Sequence, residues 1–218
     1  MALSKVDYNS LNVTAAASKA LKWNSTPNGF ETGDVGGDLV LIKTLTASSS
    51  GTLSFVNGSD DVVLNSTYKE YVFKFIDIHP GTDNVGFTVN FRDGSSAYDA
   101  TKTTTHFYAY HDEGDSSTGL SYRTDVDLAQ ATGALSLGIP VGADADQCIT
   151  GTLHLFDPSS TTFVKHFLTN VSMSGSGNDV HNSYVAGYCN VTAAIDGVQF
   201  AMASGNIDAG TIKMYGVT

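Results

Sequence analysis

The stretch that decides the fold spans residues 68–91 and reads YKEYVFKFIDIHPGTDNVGFTVNF. Its large apolar residues alternate with polar ones in both halves, at Tyr71, Phe73 and Phe75 and again at Phe87, Val89 and Phe91. Alternation with a period of two is typical of strands with one buried face. Proline, glycine and an Asp-Asn pair within residues 80–84 predict a turn between the two strands. Because each strand presents an aromatic face that a second sheet must cover, we predict a two-layer β-sandwich.

Similar alternating segments follow one another from residue 39 to the end of the chain, and they predict about nine or ten full strands and a short one at residues 62–64. Besides the central pair, these strands span residues 39–45, 52–56, 62–64, 103–110, 147–156, 162–171, 184–191, 198–202 and 210–215. Asn57 and Gly58 predict a hairpin between the strands at 52–56 and 62–64. Residues 125–131 fit either a short helix or an irregular crossing. The chain shows no repeat of fixed period, which disfavours a solenoid or a propeller.

Residues 1–36 differ from the rest of the chain because their scattered apolar residues follow neither the strand period nor the helix period. Within them, residues 15–21 have the composition for two helical turns, a length that is marginal in isolation. The only tryptophan of the chain, Trp23, lies in this segment, and an indole ring favours a pocket over solvent. We therefore predict an N-terminal arm over residues 1–36, which anchors the protein or contacts another subunit, and a sandwich domain over residues 37–218.

Composition limits the classes of partner. Lys and Arg number 11 and Asp and Glu number 22 among 218 residues, which gives a net charge of −11. This field repels phosphate backbones and anionic lipid headgroups, so we predict no nucleic-acid partner and no membrane partner. No run approaches the roughly 18 apolar residues of a membrane helix. The first residues lack the apolar core of a signal peptide, and we expect the protein to be made in the cytosol and either kept there or released by a route that the sequence does not encode.

The histidines and carboxylates form no recognised metal or catalytic motif. The 6 histidines show neither H-x-H nor H-x₃-H spacing, whereas a zinc site needs three or four convergent ligands. The acidic loop at residues 111–115 has carboxylates close enough for calcium, but it lacks the ligand spacing of an EF-hand loop. The chain contains no G-x-S-x-G elbow. Glu70 is the only glutamate in a predicted strand, which leaves no carboxylate pair for glycoside hydrolysis. We predict no enzyme activity, no metal and no cofactor.

Tyrosines and the long connection at residues 111–145 form the candidate contact region. A sugar ring packs well against an aromatic face, and a connection of this length within a sandwich is typically functional. The candidate partner or glycan contacts are Trp23, Tyr110, His111 and Tyr122. The alternative is that the tyrosines fill the edge of the core or a subunit interface.

Cys148 and Cys189 both fall in predicted strands. Two cysteines in a chain of this length are typical of buried free thiols, and a disulfide between them is the alternative.

Four segments carry a resemblance to a known group of proteins. They span residues 65–84, 101–105, 153–160 and 204–216 and read NSTYKEYVFKFIDIHPGTDN, TKTTT, LHLFDPSS and SGNIDAGTIKMYG. In these segments the chain resembles small structural proteins from tailed phages of marine bacteria, cyanophages especially. The likeness covers most of residues 39–216 and leaves out the arm. It implies a jelly-roll-like antiparallel β-sandwich and a role as a virion component, and it carries no catalytic residues.

The resemblance and the composition together predict a non-enzymatic virion surface structural protein. It is expected to be either a capsid decoration protein or a subunit of a tail or fibre appendage, attached through the arm. Expected partners are other virion proteins and further copies of the chain, with a trimer expected from architecture alone. The expected location is the virion, after assembly in the host cytoplasm. The alternative function is a carbohydrate-binding module that recognises a host-surface receptor.

Overall fold

The computed structural model of the chain describes residues 20–23, 29–33 and 38–218, and these residues form β-strands and no helix. The strands are β1 (Ala20–Trp23), β2 (Phe30–Gly33), β3 (Leu39–Thr46), β4 (Leu53–Val56), β5 (Glu70–Pro80), β6 (Phe87–Arg92), β7 (Lys102–Asp112), β8 (Thr118–Tyr122), β9 (Leu135–Ser136), β10 (Ile149–Phe156), β11 (Lys165–Gly175), β12 (Asp179–Cys189), β13 (Gly197–Met202) and β14 (Ile207–Val217). The prediction of an all-β fold is confirmed. The chain divides into two units, Met1–Asp38 and Leu39–Thr218.

The described part of the first unit is an antiparallel pair of β1 and β2, with Trp23 opposite Phe30. The two rings stack with their centroids 4.4 Å apart, and Lys22 Nζ lies 3.4 Å from Glu31 Oε1. Trp23 keeps 63% of its surface exposed. The predicted helix over residues 15–21 is wrong at its C-terminal end, because Ala20 and Leu21 are extended and pair with β2; residues 15–19 lie outside the described residues.

The second unit is a sandwich of two antiparallel sheets. One sheet has the strand order β3-β14-β5-β10-β11-β12-β7-β8, and the other has the order β4-β13-β6-β9. Eight of these strands, taken in chain order as β3, β4, β5, β6, β9, β10, β13 and β14, have the connectivity of a jelly roll: the first, eighth, third and sixth form one sheet, and the second, seventh, fourth and fifth form the other. The remaining four strands, β11, β12, β7 and β8, lengthen the first sheet at one side. We call these four strands the extension.

The two strands predicted from residues 68–91 are present, but they do not pair with each other. β5 lies in the eight-stranded sheet between β14 and β10, and β6 lies in the four-stranded sheet beside β13. The turn after Pro80 therefore carries the chain from one layer to the other. Phe75 and Phe87 meet edge to face across the core at 5.3 Å, so each strand helps to cover the aromatic face of the other.

The predicted strand at residues 62–64 and its hairpin are wrong. Gly58 takes φ = 78°, and its N–H donates to the carbonyl of Val62 while the side chain of Asn57 accepts from the N–H of Leu64. These bonds close a compact loop, and the edge of β4 pairs with β13 from the far end of the chain. The turn was thus predicted at the correct place. The Asn57 side chain, however, accepts the hydrogen bond of the Leu64 N–H, which a hairpin strand would need for pairing.

One further segment differs from the prediction, and another decides between the two alternatives that the sequence left open. Strand β11 begins at Lys165 rather than at residue 162, and Phe163 lies in the preceding loop with 72% of its surface exposed. Residues 125–131 form the irregular crossing, in which the N–H of Leu128 donates to Oγ1 of Thr104. The chain here runs along the same edge of β7 that β8 uses further on, bound to it by backbone and hydroxyl hydrogen bonds.

Gly210 occupies a position that only glycine tolerates. Its φ is 114°, and an added Cβ would lie 2.6 Å from the carbonyl oxygen of Asp77 on β5. We expect Gly210→Ala to lower the free energy of unfolding by about 2 kcal/mol, from backbone strain and the displaced strand. Urea denaturation measures this, with Gly133→Ala as the control, since nothing lies within 4 Å of a Cβ there. Equal losses in the two variants would contradict the assignment.

Candidate functional site

The outer face of the extension carries six large apolar side chains that no described residue covers. They are Phe107, Leu120, Tyr122, Leu168, Val180 and Tyr184, and we call them the outer patch. Their exposed fractions run from 42% for Phe107 to 74% for Leu120. Strand register puts them side by side, because Phe107 lies opposite Tyr122 on one side and Tyr184 on the other.

Ring contacts and one hydrogen bond hold the outer patch in place. The rings of Phe107 and Tyr184 stack at 5.1 Å with an interplanar angle of 11°. The Tyr122 hydroxyl donates to Asp127 Oδ2 at 2.8 Å, and this bond raises the pKa of Tyr122 above its usual value. The aromatic rings of the patch are therefore held in place, two by stacking and Tyr122 by its hydrogen bond to Asp127.

An acidic cleft of about 610 Å³ adjoins the outer patch at the end of the extension. It lies where the loop between β7 and β8 meets the loop between β11 and β12, and the N–H of Glu113 donates to the carbonyl of Asn178 across this junction. Acidic and hydroxyl side chains line it, including Asp112, Glu113, Asp179 and Ser172. Val180 belongs to both the cleft and the patch, so a ligand that lies on one reaches the other.

The Asp112 carboxylate is occupied by its own turn. Its Oδ1 accepts from the N–H groups of Ser116 and Ser117, both at 2.8 Å, and its Oδ2 accepts from the Ser116 hydroxyl. The hydroxyl bond, followed by that of the Ser117 N–H, lowers the pKa of Asp112. His111 Nε2 lies 3.1 Å from Asp115 Oδ1. Within the described ranges, no group of three His, Cys, Asp or Glu side chains has the arrangement of a metal site.

The structure brings two of the four predicted contact residues to one face. His111 and Tyr122 both lie on the outer side of the extension, at the two ends of the β7–β8 pair. Tyr110 points to the opposite face, where it is half-buried and stacks on His181 at 5.5 Å. Trp23 belongs to the other unit of the chain. The candidate site is thus the outer patch with its cleft, and Tyr110 is part of the packing beneath it.

The local sequence pattern does not predict that Phe107, Leu120, Leu168, Val180 and Tyr184 form one surface. The signal that marks them is in β7, where Phe107 and Ala109 alternate with Tyr108 and Tyr110, so both faces of the strand are apolar. A strand that is apolar on both faces is typical of a sheet covered on both sides. The neighbours that complete the surface come from strands distant in sequence, and only the register identifies them.

The two cysteines are free thiols, and no disulfide joins them. Cys189 ends β12 and is fully buried between Lys102 and Lys165, its neighbours in the strand register. Burial raises the pKa of Cys189 to about 12, so the group is a protonated packing element. Cys148 is half-buried beside the acidic cleft, and burial raises its pKa as well. It lies one residue before β10, so the prediction that it falls in a strand is wrong.

Lys102 is buried at the junction of the two sheets. Its Nζ donates to Asn90 Oδ1 at 2.5 Å and to the carbonyl of Ala100 at 2.8 Å, and burial lowers the pKa of Lys102 to about 8. These bonds satisfy the ammonium group and tie β7 to β6.

The part of the chain that the structure describes contains no helix with the length and hydropathy of a membrane span. Comparison of the chain with protein-family models, with curated proteins and with solved structures finds no match.

Proposed function

We propose that this protein is a non-enzymatic structural subunit of a tailed-phage virion surface, a capsid decoration protein or part of a tail or fibre appendage. The observation that carries the proposal is the outer patch. Exposed apolar surface of this kind on a globular domain is typical of a site that another protein covers. A subunit that works by packing into a particle needs such a surface and needs no catalytic group.

The chemistry of the patch fits a protein interface. None of its six side chains is charged, and three are aromatic, in line with the depletion of charge and enrichment of Tyr and Phe at the centres of interfaces. The net charge of −11 lies elsewhere on the chain. The patch therefore differs from the rest of the surface in the way that an assembly contact does.

The jelly roll agrees with this role without establishing it. The architecture recurs in viral capsid proteins and in lectins, and a fold by itself does not determine a function. Support beyond the fold comes from the resemblance of residues 65–84 and 204–216 to phage structural proteins and from the uncovered face. In this proposal the arm, residues 1–36, attaches the subunit and the sandwich projects from the particle.

Immunogold electron microscopy of purified phage particles tests the proposal. An antibody against residues 39–218 should label intact virions of the phage that encodes the chain, over the head for a decoration protein or on the tail for an appendage. Virions made with a chain lacking residues 1–36 should lose the label, while the truncated protein stays folded by circular dichroism. Unlabelled wild-type virions would overturn the virion role, and full labelling after the deletion would overturn the role of the arm.

Carbohydrate binding is the second candidate function, and the aromatic row beside the cleft favours it. The rings of Phe107, Tyr122 and Tyr184 lie together on one sheet face, and the cleft next to them offers carboxylates and hydroxyls. Sugars bind by packing a ring face on an aromatic side chain while polar groups accept and donate hydrogen bonds. An appendage subunit that binds a host-surface glycan combines both functions.

Tyr122→Ala is expected to weaken glycan binding about tenfold, a loss of about 1.4 kcal/mol, with an unchanged melting temperature because the ring is exposed. A glycan array followed by titration of the best ligand measures this. Phe163→Ala is the matched control, since Phe163 is an exposed aromatic residue outside the patch. A blank array with the wild-type protein, or an equal loss in the control, would remove carbohydrate binding from consideration.

A further inference from the structure

The outer edge of the eight-stranded sheet is β8, and its backbone presents unpaired groups along that edge. The N–H of Arg123 donates to the carbonyl of His106, and the N–H of Asp112 donates to the carbonyl of Ser117. In an antiparallel pair, the backbone groups of every second residue bond to the neighbouring strand. The N–H and C=O groups of Ser117, Gly119 and Ser121 therefore face β7. The N–H and C=O groups of Thr118, Leu120 and Tyr122 point away from the sheet, and among the described residues no strand lies beyond β8.

The two edges of this sheet are protected differently. At the other edge, β3 carries a bulge, because Met214 pairs with Lys43 and Tyr215 pairs with Leu41, which leaves Ile42 as the extra residue. Bulges and edge lysines are devices that prevent strands from pairing between molecules. β8 reads TGLSY and pairs with β7 in unbroken register, with no bulge, charge or proline. Of the two edges of this sheet in the described part of the chain, β8 is the one left open to another strand.

We infer that β8 pairs with β8 of a second copy of this chain, antiparallel, about a two-fold axis through Leu120. The three outward-facing residues are spaced evenly around Leu120, so each finds a partner in the same strand of the other copy: Leu120 pairs with Leu120, and Thr118 pairs with Tyr122. Every free N–H then meets a free C=O. The contact is isologous, with the same surface used by both copies.

The side chains support the same pairing. Thr118, Leu120 and Tyr122 all lie on the outer face, where the exposed fraction of Leu120 is 74%. Pairing places the two Leu120 side chains against each other and joins the two outer patches into one continuous apolar surface. β8 has no side chain that is charged at neutral pH and would oppose the approach. This two-fold contact does not depend on the virion role, and it differs from the trimer that we expected from architecture alone.

Charge gives the association a defined salt dependence. Each chain carries a net charge of −11, so two copies repel each other. Salt screens this repulsion, with a screening length of about 8 Å at 0.15 M ionic strength. The interface itself is uncharged. We therefore expect the dimer to strengthen as the salt concentration rises.

Sedimentation velocity of the full chain over a range of concentrations tests the inference. The wild-type protein should form dimers that dissociate on dilution, and Leu120→Lys should weaken dimerisation at least tenfold. Leu168→Lys is the matched control, because Leu168 belongs to the same outer patch with 51% of its surface exposed but lies away from the edge. A monomeric wild-type protein at all concentrations, or dimers disrupted by Leu168→Lys and not by Leu120→Lys, would overturn the edge pairing.

Amide hydrogen exchange by NMR provides the residue-level test. The N–H groups of Leu120 and Tyr122 should exchange rapidly at low protein concentration and slow down as the dimer forms. The N–H groups of Gly119 and Ser121 should be protected at every concentration, because they bond to β7. Protection of Leu120 and Tyr122 that does not depend on concentration would mean that another segment of the same chain covers β8, and this result would overturn the inference.

Discussion

Phe200→Ala is expected to lower the free energy of unfolding by about 4 kcal/mol, within the range for removal of a buried aromatic side chain. Phe200 lies on β13 and has no exposed surface. Its ring centroid is 5.2 Å from that of Phe75, 5.5 Å from Phe73, 5.8 Å from Phe87 and 6.3 Å from Phe55. Phe73 and Phe75 belong to the eight-stranded sheet, so this one ring links the two layers of the sandwich.

The loss is large because the surrounding rings cannot close the space. Each of them is fixed by its own strand in one of two sheets, and a cavity at their centre removes contacts from all four neighbours. Urea denaturation followed by circular dichroism measures the change, and Phe163→Ala is the control, expected within about 0.5 kcal/mol of the wild type because Phe163 is exposed. A loss below about 1 kcal/mol for Phe200→Ala would contradict the central position of this ring.

The strands were predictable because their information is local. Alternation along residues 71–75 and 87–91 depends only on which side chains lie on each face, and the structure confirms both strands. Their assignment to different sheets was not predictable in this way. The edges of β5 are taken by β14 and β10, which come from residues 207–217 and 149–156. A local pattern of alternation therefore does not indicate which distant segment will pair with the edge of a strand.

In the candidate site, the local sequence likewise does not predict which face of the sheet a given side chain lies on. Tyr110 and Tyr122 look alike in sequence, yet the β7–β8 register sends them to opposite faces. Tyr110 pairs with Gly119, and its ring occupies the space beside that glycine, where an added Cβ would lie 2.7 Å from the ring. Tyr122 pairs with Phe107 on the outer face. A shift of one residue would exchange the two faces, and the loop at residues 113–117 helps to set which register forms.

The second prediction with a large effect is a loss of stability in acid, caused by the buried side chain of His106. His106 lies on the inner face of β7 with no exposed surface, and neither ring nitrogen has a hydrogen-bond partner among the described residues. Burial, with a smaller contribution from the charge of Arg123, lowers the pKa of His106 to about 4, while Asp125 and Asp127 act weakly in the opposite direction. The folded protein therefore holds this ring neutral well below the pH at which an unfolded chain protonates it.

The sign of the effect follows from the two pKa values. Since the pKa is about 4 when folded and about 6.5 when unfolded, the stabilisation is complete above pH 6.5 and is lost as the pH falls toward 4. The expected loss between pH 7.5 and pH 4 is about 3 kcal/mol from this group. Asp112 and Asp125 also have lowered pKa values and add to acid sensitivity, so the contribution of His106 must be separated from theirs.

His106→Leu separates them, because leucine is close in volume, needs no hydrogen bond and leaves both carboxylates in place. Urea denaturation of the wild type and the variant at several values from pH 7.5 to pH 4 gives the difference in stability at each pH. We expect the wild type to fall relative to His106→Leu by about 3 kcal/mol over this range, with most of the change below pH 6. Parallel profiles for the two proteins would mean that His106 is protonated in the folded state without cost, and the buried, unpartnered ring would then have to be solvated by water that enters between the sheets.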